Sequence, residues 1–299
     1  MTPGALIEAM KTDTDPQFKK NVLVIGCRGL LGGELMRRFS SGAVKGVDVD
    51  SCDITRSNQI AAVFNESDPD LVINTAAYTD VDGCESDRER AWQVNAIGPA
   101  NLARICRERD IPLIQISTDF VFSGRKNTPY RVDDDPEPIS VYGSSKLGGE
   151  QAVQKSGVRH LIVRTSWLFG KGGKNFIDTI LAASRSRDSL SVVSDQVGAP
   201  TSAVDLAGAL EKLIRADASG IVHFSNRGSC SWDEYARFIL RTAGKATRVL
   251  PVSSSCLDRP ASRPSYSVLD LSRYRDLTGQ LPRLWQEAVR EYLAEAGCS

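Results

Sequence analysis

A short apolar run followed at once by a glycine-rich turn limits the folds open to this chain more than any other feature. The run is residues 21–25, and Gly26-Cys27-Arg28-Gly29-Leu30-Leu31-Gly32 follows it. Apolar residues then recur at helical spacing as far as Phe39. Strand, glycine turn and helix form a cradle, because glycine lets the backbone approach a pyrophosphate at the positive helix N-terminus. The context predicts a dinucleotide site rather than a plain tight turn, with contacts from Gly26, Arg28, Gly29, Leu30, Leu31 and Gly32.

The next strand ends in an acid that bears on coenzyme choice. Residues 44–48 read as this strand, and Asp48 lies where a carboxylate accepts the adenosine ribose hydroxyls, although a surface carboxylate is the alternative. Asp48 favours NADH, whereas Arg28 could pair with the 2′-phosphate of NADPH. Each effect is about 1 kcal/mol near solvent. We therefore predict use of both coenzymes, with a slight preference for NADPH. Asp53, followed by Ile54, either flanks the adenine or caps the next helix.

Later strands end in small or hydroxyl-bearing residues. Residues 70–77 form a buried strand that ends in Ala76 and Ala77, and small side chains at that end leave room for a ligand. The strand of residues 112–117 leads into Thr118, whose hydroxyl orients a substrate carbonyl or caps the strand end. Asn95, inside the helical stretch 89–109, is either a cofactor contact or a structural hydrogen bonder.

Tyr142 and Lys146 are four residues apart in a predicted helix that continues to about residue 155. One helical turn places the phenol and the ammonium on the same face. A free tyrosine has a pKa of about 10, and an adjacent cation lowers it, so the pair predicts a proton donor. The spacing alone is common, and a solvated helix face is the alternative.

The order of elements predicts the fold class and its division. Strands and helices alternate as far as residue 170, which specifies an α/β fold with a Rossmann-like doubly wound parallel sheet. We assign residues 21–170 to a dinucleotide-binding domain, to which 202–225 return. Residues 171–201 and 226–299 then form a smaller C-terminal α+β substrate domain. Residues 1–20 read as a flexible extension.

Composition excludes several classes of function. The 37 Lys and Arg residues balance 37 Asp and Glu residues, so no global field favours nucleic acid or an anionic membrane. Seven scattered cysteines and two histidines argue against a metal site and predict a reduced, cytoplasmic protein. No run approaches the roughly 20 apolar residues of a membrane span.

Longer motifs resemble the dTDP-4-dehydrorhamnose reductase family, within the extended short-chain dehydrogenase/reductases. The resemblance covers about residues 21–295, and Asp195-Gln196-Val197-Gly198-Ala199-Pro200-Thr201 is its most specific segment. The glycine turn and Tyr-x-x-x-Lys are less specific. The other matching stretches are residues 74–82, 117–122, 164–167 and 261–264.

The resemblance implies reduction of the C4 ketone of a nucleotide-linked 6-deoxy sugar by a nicotinamide hydride. Tyr142 would protonate the developing alkoxide, Lys146 would hold the nicotinamide ribose and lower the phenol pKa, and Thr118 would hydrogen-bond the carbonyl. The alternative to substrate contact is a core aromatic residue for Trp167. For Arg263 the alternative is an arginine that only pins its own loop. The implied substrate contacts are Val81, Asp82, Thr118, Asp119, Trp167 and Arg263. The further cofactor contacts are Asp48, Asp53, Ile54, Ala76, Ala77 and Asn95.

Two departures from the family pattern keep alternatives open. The glycine turn has Arg28-Gly29-Leu30 where the family usually has Thr-Gly-Gln, and Phe120 replaces a tyrosine, which leaves the identity of the sugar open. One alternative is a reductase or epimerase of another nucleotide sugar. A second is a nucleotide-binding regulatory subunit similar to the β subunit of methionine adenosyltransferase. Homodimer formation also stays open.

Overall fold

The computed structural model describes residues 20–40 and 42–297, so the predicted extension at residues 1–20 lies outside it apart from Lys20. Numbered along the chain, the strands are β1 (Val22–Ile25), β2 (Val44–Val47), β3 (Leu71–Asn74), β4 (Leu113–Thr118), β5 (His160–Thr165), β6 (Leu168–Phe169), β7 (Ser189–Val193), β8 (Val197–Gly198), β9 (Thr201–Ser202), β10 (Gly220–His223), β11 (Cys230–Ser231) and β12 (Arg248–Val252).

The helices are α1 (Leu30–Arg38), α2 (Ser57–Ser67), α3 (Val81–Ser86), α4 (Arg88–Trp92), α5 (Gly98–Glu108), α6 (Val141–Lys155), α7 (Phe176–Ser184), α8 (Ala203–Arg215), α9 (Trp232–Thr242), α10 (Ser272–Thr278) and α11 (Trp285–Glu295). A π-helical turn (Gln93–Ile97) joins α4 to α5, and 3-10 turns span Asp119–Val121 and Ser254–Cys256. In the described part of the chain, no helix is both long and apolar enough to cross a bilayer.

A parallel sheet with strand order β10-β5-β4-β3-β1-β2 forms the centre of the molecule. Its strands are apolar on both faces because helices cover both. Along β1, Val22 and Val24 pack with α1 and α8 on one face, whereas Leu23 and Ile25 pack with α2 and α5 on the other. The predicted Rossmann-like fold is therefore confirmed.

The C-terminal half adds a separate hydrophobic cluster beside the sheet. Helices α7, α9 and α11 pack around Tyr235 and Trp285, next to the parallel pair β7 and β12. Helix α9 begins with a capping box, in which Ser231 and Glu234 each accept a hydrogen bond from the other's backbone N–H. The segment predicted to return to the sheet contributes β10, which pairs in parallel with β5.

Helix α6 lies against its neighbours at backbone distance. A Cβ atom on Gly143 would be 2.2 Å from the carbonyl oxygen of Phe120, and one on Gly149 would be 2.2 Å from that of Asn95. Asn95 belongs to the π-helical turn, which interrupts the single helix predicted over residues 89–109. The turn and the two glycines let α6 dock closely beside β4.

We predict that Gly149→Ala destabilises the protein by about 1–3 kcal/mol, because the added methyl group has no space. Gly33→Ala, within α1, is the matched control, since outside its own helical backbone the atom nearest to its Cβ would be the carbonyl oxygen of Cys27 at 3.9 Å. That change should be neutral or stabilising by up to about 1 kcal/mol. Urea denaturation of both variants measures the difference, and equal stability would contradict the packing argument.

Candidate active site

A cleft of about 640 Å³ opens at the carboxyl ends of the central strands. It lies where the strand order reverses between β1 and β3, the place where open parallel sheets bind ligands. Arg28, Asn95, Asp82 and Arg263 are not among its lining residues. The predicted site residues that line it are Gly26, Gly29, Leu30, Leu31, Gly32, Asp48, Asp53, Ile54, Ala76, Ala77, Val81, Thr118, Asp119, Tyr142, Lys146 and Trp167.

The glycine turn at the base of the cleft requires glycine at two positions. Gly26 has φ +81°, and a Cβ there would lie 2.7 Å from the backbone nitrogen of Ala76. A Cβ on Gly32 would lie 2.1 Å from the carbonyl oxygen of Gly26. The turn leads into α1, whose first backbone N–H groups lack helical partners and can bind an anion. This backbone fits the pyrophosphate of a dinucleotide.

Arg28 and Asp48 bind each other rather than opposing each other across a ligand. The backbone N–H of Arg28 donates to Asp48 Oδ2 at 3.0 Å, and its guanidinium forms an ion pair with Asp50 and lies 3.5 Å from Asp48 Oδ1. Partial burial raises the pKa of Asp48, but the N–H groups of Arg28 and Val49 and the Arg28 charge outweigh it, so the net pKa is lowered. Arg28 therefore reaches a 2′-phosphate only by leaving Asp50.

Asp53 lines the cleft but does not cap the following helix. Its Oδ1 accepts hydrogen bonds from the backbone N–H and the hydroxyl of Thr55 at 2.9 and 2.8 Å. The N-cap of α2 is Arg56, without a side-chain cap, so the capping alternative for Asp53 is wrong. Ile54 is buried against Gly98, where a Cβ would lie 2.5 Å from the Ile54 side chain.

Asn95 is a structural hydrogen bonder. Its Oδ1 accepts from the backbone N–H of Tyr78 at 2.8 Å, and its Nδ2 donates to the Tyr78 carbonyl and to the Ser145 hydroxyl. These bonds use both hydrogens of the amide and one lone pair of its oxygen, and they tie the cleft wall to α6. The structure thus agrees with the structural interpretation of Asn95 and not with direct cofactor contact.

Tyr142 and Lys146 face the cleft from α6, and burial dominates the chemistry of both. Burial raises the pKa of Tyr142, and a hydrogen bond with Thr118 only partly offsets this. The net pKa of Tyr142 is raised, so the prediction that the adjacent ammonium brings it below its ordinary value is wrong. Burial lowers the pKa of Lys146 to about 8, with the carboxylate of Glu150 opposing, and its Nζ donates to the Ile116 carbonyl at 2.7 Å. Tyr142 is consequently a protonated phenol at neutral pH.

Thr118 connects Tyr142 to a buried acid. Its hydroxyl donates to Asp119 Oδ1 at 3.0 Å and accepts the backbone N–H of Phe120 at 3.2 Å. Asp119 is 1% exposed, and burial raises its pKa to about 6, although the hydroxyls of Ser267 and Thr118 favour the ionised form. The carboxylate lies in the wall of the cleft and is already shielded from water.

Trp167 forms one wall of the cleft in a strained conformation. Its φ is +45°, and its ring stacks on that of Trp232 with centroids 3.5 Å apart. Gly198 makes room for this, because a Cβ there would lie 2.4 Å from the Trp167 ring. Positive φ is uncommon for a bulky residue, so the surroundings hold the side chain at the cleft. Trp232 was missed as a site residue because its position next to Ser231 indicated only a helix start.

Asp82 and Arg263 bind each other beside the cleft. Arg263 donates to both Asp82 oxygens at 2.7 and 3.0 Å, and the backbone N–H of Ala261 donates to Asp82 at 3.1 Å. Hydrogen bonding from Arg263 lowers the pKa of Asp82 despite partial burial. In this structure Arg263 pins its own loop to α3, the alternative to a direct diphosphate contact.

A second cavity of about 320 Å³ adjoins the first and shares Phe120, Trp167 and Trp232 with it. Arg259 and Arg263 lie along it. Within residues 20–40 and 42–297, no group of three His, Cys, Asp or Glu side chains is arranged to hold a metal ion. The larger cavity thus lies beside the glycine turn, and the smaller one has an aromatic wall and two guanidinium groups.

Comparison with known proteins gives a consistent family. Residues 20–298 match the family model described as RmlD substrate binding domain. The chain is 39% identical over 285 residues to dTDP-4-dehydrorhamnose reductase of Mycolicibacterium smegmatis, covering 92% of this chain and 85% of that protein. It is 38% identical over 275 residues to the probable dTDP-4,6-dihydroxy-2-methyloxan-3-one 4-ketoreductase of Streptomyces antibioticus, covering 90% and 93% respectively.

A solved structure extends this comparison to three dimensions. The dTDP-4-dehydrorhamnose reductase of Bacillus anthracis in complex with NADP has a TM-score of 0.90 and 38% identity, and covers 93% of this chain and 99% of that one. The parallel sheet, the glycine turn and the Tyr-x-x-x-Lys helix define an extended short-chain dehydrogenase/reductase. Within this class, the chain belongs to the dTDP-4-dehydrorhamnose reductase family, as the sequence motifs predicted.

We predict that Asp119→Asn stabilises the protein at pH 7–8. The folded state raises the pKa of this acid from 3.8 to about 6, so the wild type carries a cost that is absent below pH 3.8 and complete above about pH 6. Removing the charge should gain about 1–3 kcal/mol at pH 8, and the gain should vanish toward pH 4.

Denaturant unfolding at pH 4 and pH 8 measures this difference. Asp133→Asn is the matched control, because that carboxylate is exposed and pairs only with solvent-exposed Arg131. The control should leave the stability essentially unchanged at either pH, because water and salt screen an exposed ion pair. A pH-independent effect of Asp119→Asn would show that burial does not disfavour its charge.

Proposed function

We propose that this protein reduces the C4 ketone of a nucleotide-linked 6-deoxy-4-keto sugar with NADPH or NADH, most specifically dTDP-4-dehydrorhamnose to dTDP-rhamnose. The observation that carries the proposal is the shared cleft, in which Tyr142, Lys146 and Thr118 face a glycine turn shaped for a pyrophosphate. Family membership supports the same reaction, since relatives covering most of the chain are named as reductases of this sugar.

The residues fit a nicotinamide dinucleotide at the glycine turn. Gly26, Gly29 and Gly32 leave the backbone exposed for the pyrophosphate, and Asp48 is the acid nearest the adenosine ribose in this scheme. Ala76 and Ala77 leave space above β3, and Lys146 would hold the nicotinamide ribose. When bound, the reduced nicotinamide supplies a hydride to the ketone carbon.

Tyr142 supplies the proton in the proposed reaction. Its phenol stays protonated at neutral pH, so it can donate to the oxygen of the ketone as negative charge develops there. Thr118 is a hydrogen-bonding neighbour that partly lowers the pKa of this phenol, and a ketone oxygen would take its place beside Tyr142. Lys146 stabilises the phenolate that remains after transfer, because a nearby ammonium favours a negative charge.

The second cavity suits the rest of the substrate. Trp167 and Trp232 offer flat apolar surface for a sugar or a base, and the guanidinium groups of Arg259 and Arg263 face the same cavity. Asp82 neutralises Arg263, which leaves Arg259 as the cation available to a diphosphate. Val81 and Asp119 line the larger cleft and would contact the sugar.

A reductase acting on a different nucleotide sugar is the second candidate. Phe120 stands where the family pattern has a tyrosine, and its ring packs edge-on against Tyr142 at 5.5 Å. A phenyl ring cannot hydrogen-bond a sugar hydroxyl, so selection at this position differs from that of a tyrosine. The relative from Streptomyces antibioticus carries the name of another dTDP-sugar 4-ketoreductase at similar identity.

A panel of nucleotide 4-keto sugars, read by loss of reduced nicotinamide absorbance, tests these proposals. Turnover of dTDP-4-dehydrorhamnose at the highest kcat/KM supports the first candidate, and faster turnover of another sugar supports the second. Co-purification with a methionine adenosyltransferase without turnover of any sugar would favour the regulatory subunit instead.

Location and partners are part of the proposal. Balanced charge and the absence of any disulfide among the described cysteines support a cytoplasmic protein without a nucleic-acid partner. Light scattering after size-exclusion chromatography tests whether the protein forms a homodimer. A mass equal to one chain of 32.5 kDa would exclude the homodimer.

We predict that Tyr142→Phe lowers kcat by at least about 100-fold, because general acid catalysis contributes about 10²–10⁴-fold. Binding of NADPH, measured by fluorescence titration, should change little. Lys146→Ala should lower kcat and also weaken NADPH binding, since that side chain would both stabilise the phenolate and hold the nicotinamide ribose. Near-normal turnover by Tyr142→Phe would end the proposed mechanism.

Coenzyme preference should respond to the charges around Arg28. Both coenzymes should bind within about tenfold of each other. Asp50→Asn should favour NADPH, since it frees the Arg28 guanidinium to pair with a 2′-phosphate. Asp48→Asn should act in the same direction by removing repulsion, whereas Arg28→Ala should favour NADH. Competition binding measures all three variants, and unchanged selectivity in all would show that none reaches the adenosine ribose.

A further inference from the structure

A buried ion pair lies on the same face of α6 as the proposed proton donor. Tyr142, Lys146 and Glu150 follow each other at intervals of four residues, so one side of the helix presents all three. Glu150 is 1% exposed and receives two hydrogen bonds from Arg164 of β5, at 2.9 and 2.7 Å. The mechanism described above does not use this pair.

The pair is part of a larger buried network. Arg164 also lies 3.4 Å from His223 Nε2, and His223 Nδ1 lies 3.1 Å from the Tyr130 carbonyl. Burial and the adjacent Arg164 lower the pKa of His223 to about 3, so the ring is neutral. A neutral ring that accepts from Arg164 at Nε2 carries its proton at Nδ1 and donates to Tyr130. Arg164 thus has fixed partners on three sides, with the Phe122 ring 5.1 Å below it.

Glu150 is the charged neighbour that acts on Lys146. Burial disfavours the ammonium form, and among the described residues the charge of the Glu150 carboxylate opposes this. Neighbouring elements contribute other titratable or charged side chains, but none of them shifts Lys146 in this way. These are Tyr142 and Lys155 on α6, Asp82, Cys84 and Glu85 on α3, Arg88, Glu89 and Arg90 on α4, Arg104, Cys106, Arg107 and Glu108 on α5, Asp119 after β4, and His160 and Arg164 on β5.

We propose that Glu150 is a positioning residue that keeps Lys146 in its ammonium form, and that Arg164 fixes Glu150 for this role by tying α6 to β5. The inference rests on the proposed function only for its catalytic consequence. A neutral Lys146 could not stabilise the phenolate of Tyr142, so loss of the Glu150 charge would cut turnover at a pH where the wild type still works. Without an effect on Lys146, the pair of Glu150 and Arg164 would be only a structural contact.

The direct test is an NMR titration of Lys146 in protein labelled with ¹³C and ¹⁵N lysine, with its signal assigned by loss in Lys146→Arg. The Glu150→Gln variant should shift the titration midpoint downward by at least about one pH unit. At an effective dielectric constant of about 20, a unit charge roughly 6–10 Å away corresponds to a shift of about one to two pH units, of which Arg164 offsets part. The measurement needs no turnover, so it stands apart from the test of the reductase activity.

Two variants separate charge from packing. Glu150→Asp keeps the carboxylate but shortens its reach, so its midpoint should stay within about half a unit of the wild type. Glu108→Gln removes an exposed carboxylate on α5 and should leave the midpoint unchanged. If turnover is detected, the alkaline limb of kcat/KM should move to lower pH in Glu150→Gln alone, by the shift seen in NMR.

If Glu150→Gln does not fold, the double variant Glu150→Gln/Arg164→Gln is titrated in its place. It removes both buried charges and keeps a polar contact. Its Lys146 midpoint should also fall. A folded Glu150→Gln or double variant whose midpoint equals that of the wild type would overturn the proposal and reduce the pair to a structural contact.

Discussion

Close backbone contact between α6 and the elements beside it is the constraint on which the site depends. Gly143 and Gly149 touch the carbonyls of Phe120 and Asn95 without an intervening side chain. Because nothing separates these backbones, the face of α6 that carries Tyr142 lies directly at the end of β4. The parallel sheet then supplies the opposite wall, since all its strands end at the same edge.

Around α6, the cleft favours the neutral form of three titratable groups. Burial raises the pKa values of Tyr142 and Asp119 and lowers that of Lys146. Such an environment suits a proton donor, which must keep its proton until charge develops on the substrate. It suits a catalytic ammonium less well, so the charge of Lys146 needs support from elsewhere in the fold. Only Glu150 supplies it within the described residues.

The fold and the outline of the cleft were predictable from local sequence. Continuous apolar runs such as β1 indicate strands covered on both faces, and the turn from Gly26 requires glycine for local steric reasons. Pairings between distant charges were not predictable. Arg263 meets Asp82 across 181 positions, and Arg28 turns to Asp50 rather than to a ligand. The direction of the pKa shift of Tyr142 was not predictable either, because spacing along a helix does not show how far a side chain is buried.

The single hydroxyl proton of Thr118 limits the order in which a ketone oxygen can accept its hydrogen bonds in the site. Its hydroxyl has one proton, which is donated to Asp119, while its oxygen accepts from the backbone N–H of Phe120. A ketone oxygen entering this position can therefore accept from Tyr142 at once, but from Thr118 only after the Asp119 bond is released. Protonation of Asp119 would release it, because a carboxylic acid can donate to Thr118 in turn. On this accounting Tyr142 contacts the ketone first, and the second hydrogen bond depends on the charge of a buried acid whose pKa is about 6.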